Sequence, residues 1–340
     1  MMEAILFCKT SHNSRRKEDF AGAKYFNMAY YLRKTAGFLA TLLLVSLVTF
    51  AVFQILPGDP ATVILGVDAD PLQVEPLRVA IGADKPIPER FLNWVLGVFR
   101  GDLGTSYQYR QPVASLISGG LSVTVSLAFF SLILTALIGI PVGLWLARHS
   151  KKLYAAPVTF LSQLGLSVPV FCMSIVLIEI FSVHLKWLPS LGYTSWSVSP
   201  LKCLQSLLLP AFAIAFSSSA VLIRYVRSSV VRQTGEDYVR TARSKGVASG
   251  KVLWGHVLRN SLIPVLTIFG MIVTDVLGGS IIIENVFSLP GIGRLIATAI
   301  STRDLPLIQG LVLYLAGIVV VCNFAVDLLY SVIDPRIRLK

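Results

Sequence analysis

The sequence predicts an all-α, polytopic membrane protein with six spans. Its 340 residues are 54% hydrophobic and only 14% charged, against about 25% charged in an average soluble domain. The apolar excess is gathered into runs. Thr35–Leu56 and Leu121–Ala147 carry no charge, Leu204–Ile223 carries none, and Ala155–Val183 has only Glu179. Leu262–Ile283 contains only Asp275, and Leu305–Leu329 only Asp327. At about 1.5 Å of rise per residue, each run can cross a hydrocarbon core of about 30 Å. Backbone polar groups in lipid must be satisfied within the segment, so the runs are helices. Pro141, Pro157, Pro169 and Pro210 fall inside them as kinks or helix starts, which neighbouring helices can accommodate.

Orientation follows from the basic residues. The arm before the first run, the turn Arg148–Lys152, the polar stretch Arg224–Arg259 and the tail after Asp334 alternate with the other loops. Together they hold 21 of the 30 Lys and Arg residues. This bias places both termini in the cytoplasm. It also accounts for the net charge of +12 through topology and anionic lipid. No soluble basic domain remains to bind nucleic acid. The first run is too long for a cleaved secretory signal and lacks a small-x-small cleavage site, so it reads as a retained helix.

The chain divides into an arm (residues 1–29), a first helix with an outer module (30–118), a membrane core (119–333) and a short tail (334–340). The outer module predicts an amphipathic helix over Asp70–Gly82 that stops at the glycine. A second helix over Pro88–Phe99 sets Phe91, Trp94, Val95 and Val98 on one face. Trp94 suits an interfacial anchor, and the module suits an extracytoplasmic docking partner.

No catalytic or metal centre is expected. Cys8, Cys172, Cys203 and Cys322 are scattered without zinc or disulfide spacing, and the four histidines are equally dispersed. No G-x-x-x-x-G-K-[ST] loop is present to bind ATP, nor an arrangement suited to a membrane hydrolase.

The polar stretch Arg224–Pro264 is the most informative part. Asp237 can cap a helix. Val239, Ala242 and Val247 are spaced to face the bundle, with Arg240, Arg243 and Lys245 outward. Gly246 can end that helix. Ala248, Ser249 and Gly250 are small enough for a partner's backbone to approach. Val252, Leu253 and Trp254 form an apolar cluster suited to a groove.

This stretch resembles the EAA loop of ABC importer permeases, with Asp237–Gly246 followed by Leu262-Ile263-Pro264. Arg240-Thr241-Ala242 stands where the general pattern has Glu-Ala-Ala, and Leu258-Arg259 where it has Leu-Pro. Further blocks are similar to the dipeptide, oligopeptide and nickel branch of that family. They are Leu56–Ala61, Gly101–Ser106, Trp187–Tyr193, Ile283–Gly293 and Asp327–Arg338.

The resemblance implies a type I, MetI-like transmembrane domain in the inner membrane. A second permease would form the other half of the pathway. Two ATPase subunits would bind ATP and magnesium and dock on the loop 237–264. A binding protein would deliver the solute. Arg240, Thr241, Ala242, Lys245, Gly246, Ser249 and Trp254 would form the coupling surface. The cargo would be a peptide, with a nickel chelate or other small solute as the alternative.

Intramembrane acids are functional candidates. Asp275 can line the pathway or hydrogen-bond a neighbouring helix. Glu179 suits an interfacial position, and Asp327 can pair with the basic inner loops. An ion-coupled transporter using Asp275 and Glu179 is the alternative from another class. Gly278 and Gly279 permit close approach of a helix or an opening between two permeases.

The charge bias makes a direct prediction. With the native cysteines replaced, Ser249→Cys should resist a membrane-impermeant maleimide in intact cells and react after lysis. Labelling in unbroken cells would reverse the topology.

Overall fold

The computed structural model describes residues 35–52, 60–66, 69–80, 82, 84–150 and 152–333. The arm, Leu56–Asp59, the tail, and the side chains of Gly279 and Asp327 lie outside the described residues. The described chain is almost wholly helical.

The first span, α1, is Thr35–Val52. Three short helices follow in the outer module: α2 (Pro60–Leu65), α3 (Pro71–Ala80) and α4 (Ile87–Phe99). The predicted helix over 70–82 is α3. Asp70 Oδ1 accepts the Leu72 N–H at 2.9 Å at its start, and Gly82 beyond its end has φ +68°. The predicted face of α4 is also present. Phe91, Trp94, Val95 and Val98 are half-buried, whereas Leu92 and Leu96 point outward.

The core comprises α5 (Val113–Arg148), α6 (Ala156–Ser167), α7 (Val170–Leu177), α8 (Pro200–Thr234), α11 (Leu258–Val286) and α13 (Leu305–Ile333). Between α8 and α11 lie α9 (Asp237–Ser244) and α10 (Ser249–Val252), and α12 (Ile292–Ser301) precedes α13.

Helices α5 and α8 run parallel along most of their length. Just before α8 begins, Trp196 Nε1 donates to Ser126 Oγ at 2.9 Å, and its ring stacks on Phe130 at 5.9 Å. Toward the far ends, Gly139 lies against Leu222 and Gly143 against Val226. A parallel pair requires residues 149–199 to return across the bilayer once.

That return is made by the run Ala155–Val183, which is bent where the sequence places Pro169 as a kink or helix start. Helix α6 and the segment Val170–His184 meet at 113°. The break falls at Pro169, which has no N–H to donate and forces the residue before it out of the helical region. Val168 accordingly has ψ 123°. The segment ends in a π-helical turn over Ile178–His184. Among the described residues there are five unbroken helices long and apolar enough to span and one broken pair, which counts as the sixth crossing because α5 and α8 run parallel. Pro141 and Pro210 remain inside α5 and α8.

Glycines set the interhelical distances. A Cβ built at Gly139 would lie 2.6 Å from Leu222 Cδ2, and one at Gly143 would lie 2.7 Å from Val226 Cβ. Gly165 does the same for α6 against Ala220. Association in lipid depends on such close packing, because burying apolar surface from lipid gains little. Gly278 takes no part, since a Cβ there meets nothing within 4 Å.

Gly143→Ala should therefore destabilise the α5–α8 pair by about 1–3 kcal/mol, the usual cost of overpacking. Its unfolding midpoint in detergent should fall by several degrees. Gly250→Ala, which enters open space, is the control. An unchanged midpoint for Gly143→Ala would show that the pair tolerates a wider spacing.

Candidate functional site

Two structured ends and one exposed stripe bear on function. The first end is formed by α9, α10 and the segment that joins them to α11. Val239 and Val252 are buried, and Ala242, Val247 and Leu253 pack against the same core cluster. This segment shares a recess with Arg148 of α5 and Thr234 of α8, so it closes the end of the bundle where both long helices finish. Arg240, Thr241, Arg243, Lys245, Ser249 and Gly250 are exposed, as the spacing predicts for the basic face.

Helix α9 ends in a Schellman motif. Gly246 N–H donates to Arg243 O at 2.9 Å, and Val247 N–H to Ala242 O at 3.2 Å. Gly246 has φ +79°, a conformation that suits a residue without Cβ.

Two expectations at this end need correction. The cap position is Glu236, not Asp237. It makes no side-chain capping bond, and Asp237 opens the first turn instead. There its carboxylate lies 3.4 Å from Arg240 Nη1 and its carbonyl accepts from Thr241 Oγ1 at 3.0 Å. The apolar cluster Val252–Trp254 is also divided. Val252 faces the core, and Trp254 alone is exposed, at 61%. A helical stretch of three or four residues cannot turn all its side chains one way.

A π-helical turn over Leu253–Val257 joins α10 to α11 without a break. The run Ser249–Val286 is thus continuously helical and about 55 Å long at 1.5 Å per residue.

At its far end sits a residue that the sequence did not single out. Glu284 is fully buried. Thr124 Oγ1 of α5 donates to Glu284 Oε1 at 2.7 Å, and Gly293 N–H donates to Oε2 at 2.6 Å. Thr124 Oγ1 in turn accepts the Ile292 N–H at 2.9 Å. One carboxylate and one hydroxyl thereby satisfy two first-turn amides of α12, where a helix dipole favours negative charge.

The glycines of the block Ile283–Gly293 make room for this arrangement. A Cβ at Gly291 would collide with the Glu284 carboxylate, and one at Gly293 with Ile281 and Glu284. Gly120 of α5 faces Gly291 at backbone distance.

Asp304 makes a second tie. It accepts from Ser106 Oγ at 2.5 Å and from Gln108 N–H at 3.1 Å. It also receives the Leu307 N–H at 3.3 Å. The outer module is thereby bonded to the start of α13. Glu284 and Asp304 occupy the end of the bundle opposite α9.

The exposed stripe lies on α11. Met271, Asp275, Gly278 and Ile282 all face outward. Among the described residues Asp275 has no hydrogen-bond or ion-pair partner, so the neighbouring-helix bond is not present. Thr274 on the adjacent face reaches Asn323 of α13 instead, at 3.3 Å. Glu179 is exposed and lies 3.1 Å from His184 Nε2.

The chain matches the family described as binding-protein-dependent transport system inner membrane component over residues 139–339. Residues 27–128 match the N-terminal part of that component. It belongs to this family of transport permeases. A Brucella abortus protein named as a peptide transport system permease is 42% identical over 91% of this chain and 99% of its own length. The glutathione transport system permease protein of Salmonella typhimurium is 38% identical over 92% of this chain and 99% of its own. The inward-facing MetNI methionine ABC transporter shares the fold, with a TM-score of 0.52 at 17% identity over 64% of this chain and 96% of that one. Membership of this family displaces the ion-coupled alternative.

Glu284→Ala should leave the Gly293 amide and the proton of the Thr124 hydroxyl without an acceptor, at about 1–3 kcal/mol. The purified variant should show a lower unfolding midpoint and faster proteolytic cleavage within Phe287–Gly291. Glu284→Gln, which keeps an acceptor, should recover most of the loss. Equal cleavage of Glu284→Ala and the parent would mean that this carboxylate does not hold the turn.

Proposed function

We propose that this chain is one permease half of an ATP-driven importer of peptides, working with a second permease, two ATPase subunits and an extracytoplasmic binding protein. ATP and magnesium belong to the ATPase subunits. The observation that supports the coupling role is the docking end. A rigidly terminated basic helix, an exposed small-residue segment and one exposed Trp254 stand at the foot of a continuous helix. A partner that moves Ser249–Trp254 moves α11 as a body, and its other end carries Glu284 and the closure around α12. Such coupling requires the docked partner to interact differently with the two states.

The peptide cargo is drawn from the relatives named for peptide and glutathione transport. Asp275 supports a path for a cationic amino group. A carboxylate facing hydrocarbon costs about 3 kcal/mol on insertion scales, so an exposed one on a spanning helix suits a polar, protein-lined space between two permeases. The same face holds Gly278, and Gly279 follows it in the sequence. The basic-residue bias supports placing α9 and both termini in the cytoplasm.

The test is uptake of labelled di- and oligopeptides by the native host, with co-purification of the ATPase subunits. Gly246→Asp should abolish uptake and lose the ATPase subunits at normal membrane levels, because it burdens the positive-φ turn and adds an anion at a helix C-terminus. Asp275→Asn should lower uptake about tenfold, equivalent to about 1.4 kcal/mol, with the ATPase subunits still bound. Full transport by Gly246→Asp would sink the coupling assignment, and nickel-chelate uptake without peptide uptake would replace the cargo.

A further inference from the structure

A cavity of about 430 Å³ opens at the end of the bundle that carries Glu284 and Asp304. It lies where α1, the outer module and the start of α13 meet. Phe50, at the end of α1, closes one side and packs edge-on against Phe91 of α4 at 5.2 Å. The polar side is formed by Lys85, Arg90, Trp94, Tyr107 and Gln309. Among the described residues lining the cavity there is no Asp or Glu.

Two of these groups make no hydrogen bond among the described residues. Gln309 is only 8% exposed, and among the described residues its amide makes no hydrogen bond. Trp94 Nε1 is buried and likewise without an acceptor. Leaving the buried Trp94 donor unmet costs free energy, so it points to an acceptor in the cavity, and the Gln309 amide beside it is free to donate to the same acceptor. Burial pushes the Tyr107 phenol up, so it enters as a hydroxyl that can also donate. Lys85, whose charge is shared with Glu89 at 2.9 Å on the rim, and Arg90 add N–H donors. The wall is therefore rich in donors and wants a compact anion with several acceptor oxygens.

Its position narrows the ligand class. Phe50 lies in the last third of the apolar run Thr35–Leu56, on the side of that run that faces α4. Below it, α1 exposes Leu43, Leu44, Leu47 and Val48. The seam between α1 and α13 is also open, with a second, largely apolar recess bounded by Phe38, Val321 and Phe324. A ligand held here would keep its anionic head among the donors and run its apolar part along α1.

We infer that this cavity binds the phosphate of an anionic phospholipid of the outer leaflet, such as phosphatidylglycerol, and thereby anchors the outer module and α1 to α13. The lipid would supply the acceptors that Gln309 and Trp94 lack and would complete the packing of an otherwise loosely held first helix.

Trp94 provides the readout. The complete transporter would be titrated in detergent with phosphatidylglycerol brominated near the headgroup end of its chains, and separately with brominated phosphatidylcholine. Subtracting the Trp94→Phe protein isolates the Trp94 signal from the other tryptophans. Phosphatidylglycerol should quench saturably, with half-saturation about tenfold below phosphatidylcholine, as one charge-assisted hydrogen bond provides. Gln309→Leu keeps the side-chain volume and removes the unbonded amide, so it should fold and still weaken that preference. Lys85→Gln should weaken it further. Equal quenching by the two lipids, or an undiminished preference in the Gln309→Leu, Lys85→Gln double variant, would overturn the inference. Displacement by millimolar inorganic phosphate would also overturn it, by assigning the site to a soluble anion.

Discussion

The close parallel packing of α5 on α8 is the constraint on which the other elements depend. It is made possible by Gly139 and Gly143, whose missing side chains admit Leu222 and Val226. Once the two longest helices run the same way, the intervening chain has to cross the membrane between them. Their far ends then finish side by side, and α9 and α10 have a common floor on which to pack. Their near ends also lie together, with Trp196 fixed on Ser126, and there α5 offers Thr124 and Gly120 to the turn after α11. A pair held at ordinary side-chain spacing would separate these partners at both ends.

The two ends of the bundle are built differently, the end at Glu284 and Asp304 from buried hydrogen bonds and the end at α9 and α10 from an exposed surface. Glu284 and Asp304 are sequestered and fully engaged with amides and hydroxyls. An ordered polar network of this kind favours one geometry because partial rupture leaves unmet groups. The docking end instead leaves its basic residues and Trp254 to solvent, where a partner can meet them without first breaking internal bonds.

The spans, the helices α3 and α4 and the packing of α9 were legible in the sequence because each depends on local pattern. Charge-free length marks a membrane helix, and the order Val239, Ala242, Val247 with Gly246 marks a packed turn of helix and its stop. What escaped was set by residues distant in the chain. Glu284 looks like any acid just past an apolar run, and its partner Thr124 lies 160 positions away. Pro169 breaks its span while Pro141 and Pro210 do not, although all three sit in apolar surroundings. Gly165 docks on α8 one turn before that break. Gly278 reads as a packing glycine and faces open space, whereas Gly139, Gly143 and Gly165 carry the close approaches. Asp237 misses the cap position by one residue, a shift that the local composition does not resolve. The cavity beside Gln309 was hidden for the same reason, since its walls come from three separate parts of the chain.

The unbroken helix from Ser249 to Val286 fixes more than a distance. An α-helix advances about 100° per residue, so its length also sets a dihedral phase between Trp254 at one end and Glu284 at the other. Deleting or adding one residue anywhere between them would rotate one face by more than a quarter of a turn relative to the other. It would turn Glu284 away from Thr124 and Gly293, or Trp254 away from the face it now occupies. A point change along this helix leaves the phase intact, whereas a change of length does not. The π-helical turn at Leu253–Val257, which winds more residues into one turn than its neighbours do, is the segment where that phase is adjusted.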